Sequence, residues 1–254
     1  MNTLTSADGT TIAYDRAGSG PAIVFVAGAF NLRATLAPLA DALADEFTVV
    51  TYDRRARGDS GNTKPWSIER EAEDLDALIA EVGGRAHVFG FSSGAILALH
   101  AAAHGSPVDR VVCYEPPYMF GEGNAADLPD RLAALVDEGR TADAVVLFQR
   151  EGIRLPAEMV DTIRRTPMFP ALEAMAQSVV YDSSISTGAT PPADLAIPVL
   201  VLHGSKSWPL LGEAAAKTAA VLPAGRHLEV PGGLNHTIEP EVVGPVVAEF
   251  LHEA

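Results

Sequence analysis

Residues 86–104 read A-H-V-F-G-F-S-S-G-A-I-L-A-L-H-A-A-A-H, and this stretch decides the fold. Its opening, A-H-V-F-G (86–90), is a short apolar run of the length expected for a buried strand. Its second half, A-I-L-A-L-H-A-A-A-H (95–104), is expected to be a helix that Gly105 ends. Between them stands G-F-S-S-G, Gly90 to Gly94. A serine held on a sharp strand-to-helix turn needs small neighbours, because the backbone is tight and the helix packs close to the strand. Such a turn lifts the Ser92 hydroxyl out at the carboxyl end of the sheet. It also points the Ser93 N–H, at the helix N-terminus, towards a developing oxyanion. Short patterns of this kind arise by chance, so the weight lies on its setting between a buried strand and an apolar helix.

Outward from this turn the chain alternates strands and helices. The first residues alternate around Asp8-Gly9 and predict a β-hairpin. After G-S-G-P (18–21) comes A-I-V-F-V-A (22–27), again a buried strand. Apolar residues at helical spacing follow over 34–44, and F-T-V-V-T-Y (47–52) reads as another strand. The segment 67–82 is expected to be a helix, with Ser67 as N-cap and glutamates in its first turn. V-V-C-Y (111–114) is a strand, and the rhythm then breaks at Pro116-Pro117. It resumes with I-P-V-L-V-L-H (197–203), a helix near 210–221, a strand R-H-L-E-V (226–230) and a last helix from about Glu241.

Strands and helices at this interval imply βαβ units, hence an α/β protein whose mainly parallel sheet has helices on both faces. The pattern divides the chain into a core, 1–117 and 191–254, and an inserted segment, 118–190, with helical periodicity and no convincing strand. That insertion is expected to form a helical cap over the sheet's active edge.

Composition bounds the function. The 254 residues include 48% hydrophobic and 20% charged side chains, the balance of a folded globular chain. No apolar run is long enough to span a bilayer, and no basic-then-apolar leader opens the chain, so the expected location is cytoplasmic. One cysteine, Cys113, excludes an internal disulfide. With 33 acidic against 18 basic residues, the formal charge of −15 disfavours both nucleic acid and anionic membranes as partners. A small-molecule substrate is expected instead.

A nucleophilic serine needs a base. Of seven histidines, His236 lies in P-G-G-L-N-H, between the last predicted strand and the last helix. That loop emerges at the same sheet edge as Ser92, so its imidazole is the candidate, with His203 second. The oxyanion needs a second donor from a backbone N–H after an early strand. V-A-G-A-F-N (26–31) supplies one, assigned to Ala29 with Gly28 as the alternative.

Taken together, the opening hairpin, V-A-G-A, Y-D-R-R-A-R-G-D-S-G (52–61), G-F-S-S-G and L-N-H resemble the α/β-hydrolase superfamily over nearly the whole chain. The resemblance implies the α/β-hydrolase fold, and implies that Asp53, Arg54 and Asp59 brace neighbouring loops. Two features depart from the family pattern. The common His-Gly before the oxyanion residue is here Ala27-Gly28. The family's usual acid, about three residues after a His-Gly like His203-Gly204, is here Ser207, which cannot supply the charge that holds an imidazolium.

Some members, including zearalenone-type lactone hydrolases and some haloalkane dehalogenases, take the acid from the end of the strand beside the nucleophile strand. Here that strand, V-V-C-Y, is followed at once by Glu115. The order Ser92, Glu115, His236 keeps the family's Ser…acid…His, and two prolines stiffen the chain after Glu115. Asp182 and Asp53 are the competing acids.

The implied activity is that of a serine hydrolase acting on an ester or lactone, with neither metal nor cofactor. Serine at position 92 argues against epoxide hydrolase and dehalogenase chemistry, which need a carboxylate nucleophile. Phe30, Phe91, Tyr118, Trp208 and Leu234 flank the expected site and suggest a small apolar substrate. A carbon–carbon bond hydrolase using the same three residues, a hydrolase-like receptor with little turnover, and a pseudoenzyme remain open alternatives.

Overall fold

The computed structural model describes residues 1–121 and 123–253; Glu122, within the expected cap, and Ala254, closing the expected core, lie outside them. Among the described residues one eight-stranded sheet has the order β1-β2-β4-β3-β5-β6-β7-β8. The opening hairpin pairs β1 (Asn2–Thr5) with β2 (Thr11–Ala17), and β2 runs antiparallel to β4 (Thr48–Tyr52). The rest is parallel: β3 (Ala22–Val26), β5 (Ala86–Phe91), β6 (Val108–Tyr114), β7 (Val199–Gly204) and β8 (Gly225–Val230).

Parallel strands covered on both faces read as unbroken apolar runs, and β3 is buried at every position. Its side chains still alternate. Val24 and Val26 face one apolar layer, made with α2 (Ile68–Glu81), α3 (Ser93–Ala103) and α9 (Pro209–Val221). Ile23 and Phe25 face the other, made with α1 (Arg33–Leu43) and α10 (Pro240–His252). Two sandwiched layers around one sheet give the α/β-hydrolase fold.

Gly105 (φ 97°) ends α3 in the left-handed region, so the Ser106 and Gly105 N–H groups turn back to the carbonyls of Ala101 and Ala102. Ser67 occupies the N-cap position of α2, but its side chain makes no cap hydrogen bond to the helix amides. The lone thiol, Cys113, is fully buried in β6, between β5 and β7. Burial pushes its pKa far above the usual thiol range.

Between β6 and β7 the chain forms α4 (Leu128–Asp137), α5 (Thr141–Leu147), a π-helical turn (Phe148–Gly152), α6 (Ala157–Arg164), α7 (Phe169–Glu173) and α8 (Ala176–Ser186). These helices share a third apolar cluster, including Leu128, Leu132, Val145, Phe148 and Val179. Ala29, Phe30 and Trp66 of the sheet's loops pack against it. Trp66 stacks on Tyr181 of α8 with rings 4.7 Å apart and nearly coplanar. No helix among the described residues is long and apolar enough to cross a membrane.

Candidate active site

The site begins at the turn between β5 and α3. Ser92 has φ 54° and ψ −124°, a conformation that non-glycine residues rarely adopt and that surrounding structure must hold. Its N–H donates to the Tyr114 carbonyl of β6 at 2.9 Å. The flanking glycines are required sterically. A Cβ on Gly90 would lie 2.4 Å from the Ala95 Cα, and one on Gly94 would lie 2.2 Å from the Val26 carbonyl oxygen. The helix therefore presses against the strands as closely as backbone permits, which drives Ser92 into the strained corner.

Glu115 follows β6 directly and also has positive φ, 50°. Its N–H continues the ladder to the Leu202 carbonyl at 2.8 Å, while its carboxylate is wholly buried at the adjacent strand end. Oε1 accepts the Gly204 N–H at 2.9 Å, and Oε2 accepts the Ser207 hydroxyl at 2.8 Å. The same Oε2 meets Nδ1 of His236, leaving Nε2 as the other ring nitrogen. His236 (φ 65°) follows Asn235 (φ 54°), and its ring sits 4.6 Å from that of Phe91 and 5.7 Å from that of Trp208. The Tyr114 hydroxyl steadies this loop by donating to the Thr237 carbonyl at 3.0 Å.

Ser92 and His236 border one cavity of about 460 Å³, which Ala29 and Ser93 also line. Among the described residues the Ala29 and Ser93 N–H groups have no hydrogen-bond partner, whereas the adjoining carbonyls do. The Gly28 carbonyl accepts from Arg57 and from the Asn31 N–H, and the Ala29 carbonyl accepts from the Asn31 side chain at 2.6 Å. Gly28 does not border the cavity.

The walls are mostly apolar. Phe30, Phe91 and Trp208 line them. Tyr118 and Leu234 do not, and both expectations are corrected. Beyond the Pro116-Pro117 turn, Tyr118 is buried in the apolar layer of α2 and α3 and does not border the cavity. Leu234 is 58% exposed, because the two left-handed residues after it turn the chain so that His236, and not Leu234, faces inward. Leu211, Met119, Phe148, Ile153 and Met159 also line the walls and went unassigned from sequence. The last four come from the segment between β6 and β7, where periodicity alone does not show which face looks inward.

The arginine-rich loop after β4 braces its neighbours, as the resemblance implied. Asp53 accepts the Arg33 N–H at 2.8 Å and pairs with the Arg33 guanidinium, which also reaches Asp59 at 2.8 Å. Arg54 forms a fork to Glu71 at 2.7 and 2.9 Å. The competing acids are thus engaged by arginines and do not meet His236: Asp53 by Arg33, and Asp182 by Arg54 and Arg57. Burial alone would raise the Asp182 carboxyl; the Arg57 and Arg54 charges and the Ser93 hydroxyl outweigh it and hold the group below the usual carboxylate range. His203 stacks on His227 and shares a 2.9 Å contact with it, away from the cavity. No group of three His, Cys, Asp or Glu side chains among the described residues is placed to hold a metal ion.

A doubly covered, mostly parallel sheet, a strained serine between its central strand and a helix, and a histidine bordering the same cavity define a class of protein. The model of the alpha/beta hydrolase family matches residues 23–243, and the chain belongs to that family. The structure of an alpha/beta hydrolase from Sphaerobacter thermophilus superposes with a TM-score of 0.90 at 44% identity, covering 98% of this chain and 100% of that one. The uncharacterized hydrolase YraK of Bacillus subtilis is 33% identical over 148 residues, 56% of this chain and 55% of its own. The N-formylmaleamate deformylase of Pseudomonas putida is 34% identical over 142 residues, 54% of this chain and 52% of its own. The chain thus spans about half the length of these two curated relatives.

Proposed function

We propose that the protein is a serine hydrolase that cleaves a carboxylic ester or lactone of a small, apolar substrate through an acyl-enzyme, without metal or cofactor. Ser92 Oγ attacks the carbonyl carbon and passes its proton to Nε2 of His236. Glu115, bound to Nδ1, fixes the tautomer and balances the imidazolium charge. The oxyanion is held by the N–H groups of Ala29 and Ser93. His236 then protonates the departing alkoxide and the acyl group stays on Ser92; a water deprotonated by His236 attacks it, and His236 returns the proton to Ser92 Oγ as the acid leaves.

The contact between Glu115 Oε2 and His236 Nδ1, beside a cavity that Ser92 borders, carries this reading. Two donors, the Gly204 N–H and the Ser207 hydroxyl, compensate the burial of the Glu115 carboxyl oxygens. The apolar walls favour a substrate with a hydrocarbon acyl or alcohol part. An N-formyl amide belongs in the same panel, since one relative is named as a deformylase.

Labelling with a fluorophosphonate tests the reading, together with Ser92→Ala, His236→Ala and Glu115→Gln variants assayed on 4-nitrophenyl esters and simple lactones. The wild type should be labelled at Ser92, and Glu115→Gln should lose roughly 10³–10⁴-fold in kcat. An unlabelled wild type, or a Glu115→Gln variant as fast as wild type, refutes it.

A further inference from the structure

A buried charge cluster ties the segment between β6 and β7 to both sides of the nucleophile turn. Asp182 of α8 accepts the Ser93 hydroxyl at 2.7 Å, Arg54 Nη1 at 2.9 Å, and Arg57 Nη2 at 2.8 and 2.7 Å through its two oxygens. Arg57 Nη1 donates in turn to the Gly28 carbonyl, and Arg54 Nη1 to the Ala27 carbonyl at 3.1 Å. Arg54, Arg57, Glu71 and Asp182 are all buried, and their charges cancel.

Stability alone is a poor reason for such a cluster, because apolar side chains of the same volume often fill the space equally well. What a guanidinium adds is direction: its fork fixes two acceptors at once. The Gly28–Ala29 peptide is planar and trans, so its N–H points opposite to its C=O. Drawing the Gly28 carbonyl towards Arg57 therefore turns the Ala29 N–H the other way, and Ala29 borders the cavity. Arg57 itself does not border the cavity.

We propose that Arg57, oriented by Asp182, is a positioning residue for the oxyanion site: it aims the Ala29 N–H, while Asp182 anchors Ser93 on the opposite side. The site is then complete only with α8 docked, so a helix of the inserted segment takes part in assembling it without touching substrate. This inference rests on the serine-hydrolase reading above.

The test compares a 4-nitrophenyl ester with its thionoester, because a developing C–S⁻ accepts hydrogen bonds from the two N–H groups more weakly than C–O⁻ does. Arg57→Gln and Asp182→Asn should lower kcat on the oxygen ester by roughly 10²-fold. KM should stay within about threefold, and the oxygen-to-sulfur rate ratio should fall with kcat. Arg57→Lys keeps the charge and serves if the other variants do not fold. One ammonium cannot fork to Asp182 and Gly28 together, so its kcat and rate ratio should fall about tenfold with the melting temperature near wild type. Folded variants with wild-type kcat, or with both esters slowed in parallel and KM raised, overturn the proposal. A wild type that is unlabelled by fluorophosphonate and cleaves neither ester removes the hydrolase reading itself, and this inference with it.

Discussion

The Ser207 hydroxyl donates at 2.8 Å to Glu115 Oε2, the oxygen that meets His236 Nδ1. The position after β7 where the family usually carries its acid is therefore still engaged: it holds the carboxylate that arrives from β6. Removing that hydroxyl leaves the Gly204 N–H as the remaining donor to Glu115 besides His236. A hydrogen bond to a charged group contributes about 1.5–3 kcal/mol, so Ser207→Ala should lose roughly tenfold or more in kcat/KM with its fold intact. Circular dichroism alongside ester kinetics reads both quantities.

The same proximity predicts that the acid can be moved. Ser207→Asp alone sets two carboxylates against one histidine, and like charges that close cannot both ionise freely, so activity should drop. In a Glu115→Gln background the same substitution should restore at least tenfold of the lost kcat. A double variant no faster than Glu115→Gln would show that the 205–208 loop cannot present a carboxylate to Nδ1.

Asp182 predicts a pH dependence of stability. Its carboxyl lies below its ordinary value in the folded protein because the Arg57 and Arg54 charges outweigh the opposing effect of burial. The unfolded chain therefore binds this proton more tightly. The stabilisation is fully present above the ordinary aspartate value of about 3.9 and is lost as pH falls through the lower, folded value. Asp182→Asn should cost about 3–5 kcal/mol near neutral pH, because it leaves buried arginine charge uncompensated. Urea denaturation should show the gap from wild type shrinking as pH drops below about 4. A gap independent of pH would assign the loss to packing.

Met159 of α6 lines the cavity yet is 44% exposed, so it stands at the rim. Met159→Trp should narrow the entrance with little loss of stability. The expected result is a fall of about five- to tenfold in kcat/KM for long-chain esters relative to acetate. An unchanged chain-length profile would place the entrance elsewhere.

Much of this was legible in the sequence because each feature has a local cause. Unbroken apolar runs such as A-I-V-F-V mark doubly covered strands, and Gly90 and Gly94 mark a turn that has room for no side chain. Glu115 stands out as a candidate through its place at a strand end. What stayed hidden depends on distant partners or on the sign of one backbone angle. Arg57 and Asp182 lie 125 residues apart, and nothing in either neighbourhood announces the other. Leu234 and His236 are two positions apart, and only the left-handed conformations at Asn235 and His236 decide which one faces the cavity.

Cys113 gives the fold its own clock. The one thiol of the chain is enclosed in β6, hydrogen-bonded through its strand to β5 on one side and β7 on the other. Its side chain lies in the apolar layer that α2, α3 and α9 lay over the sheet, which Tyr118 and Ile185 of α8 also join, so it is reached only when that layer lifts. With its thiolate form disfavoured by burial, it should ignore alkylating reagents while that layer stays packed. The slow rate at which it is finally trapped would then time the lifting of that layer from the sheet.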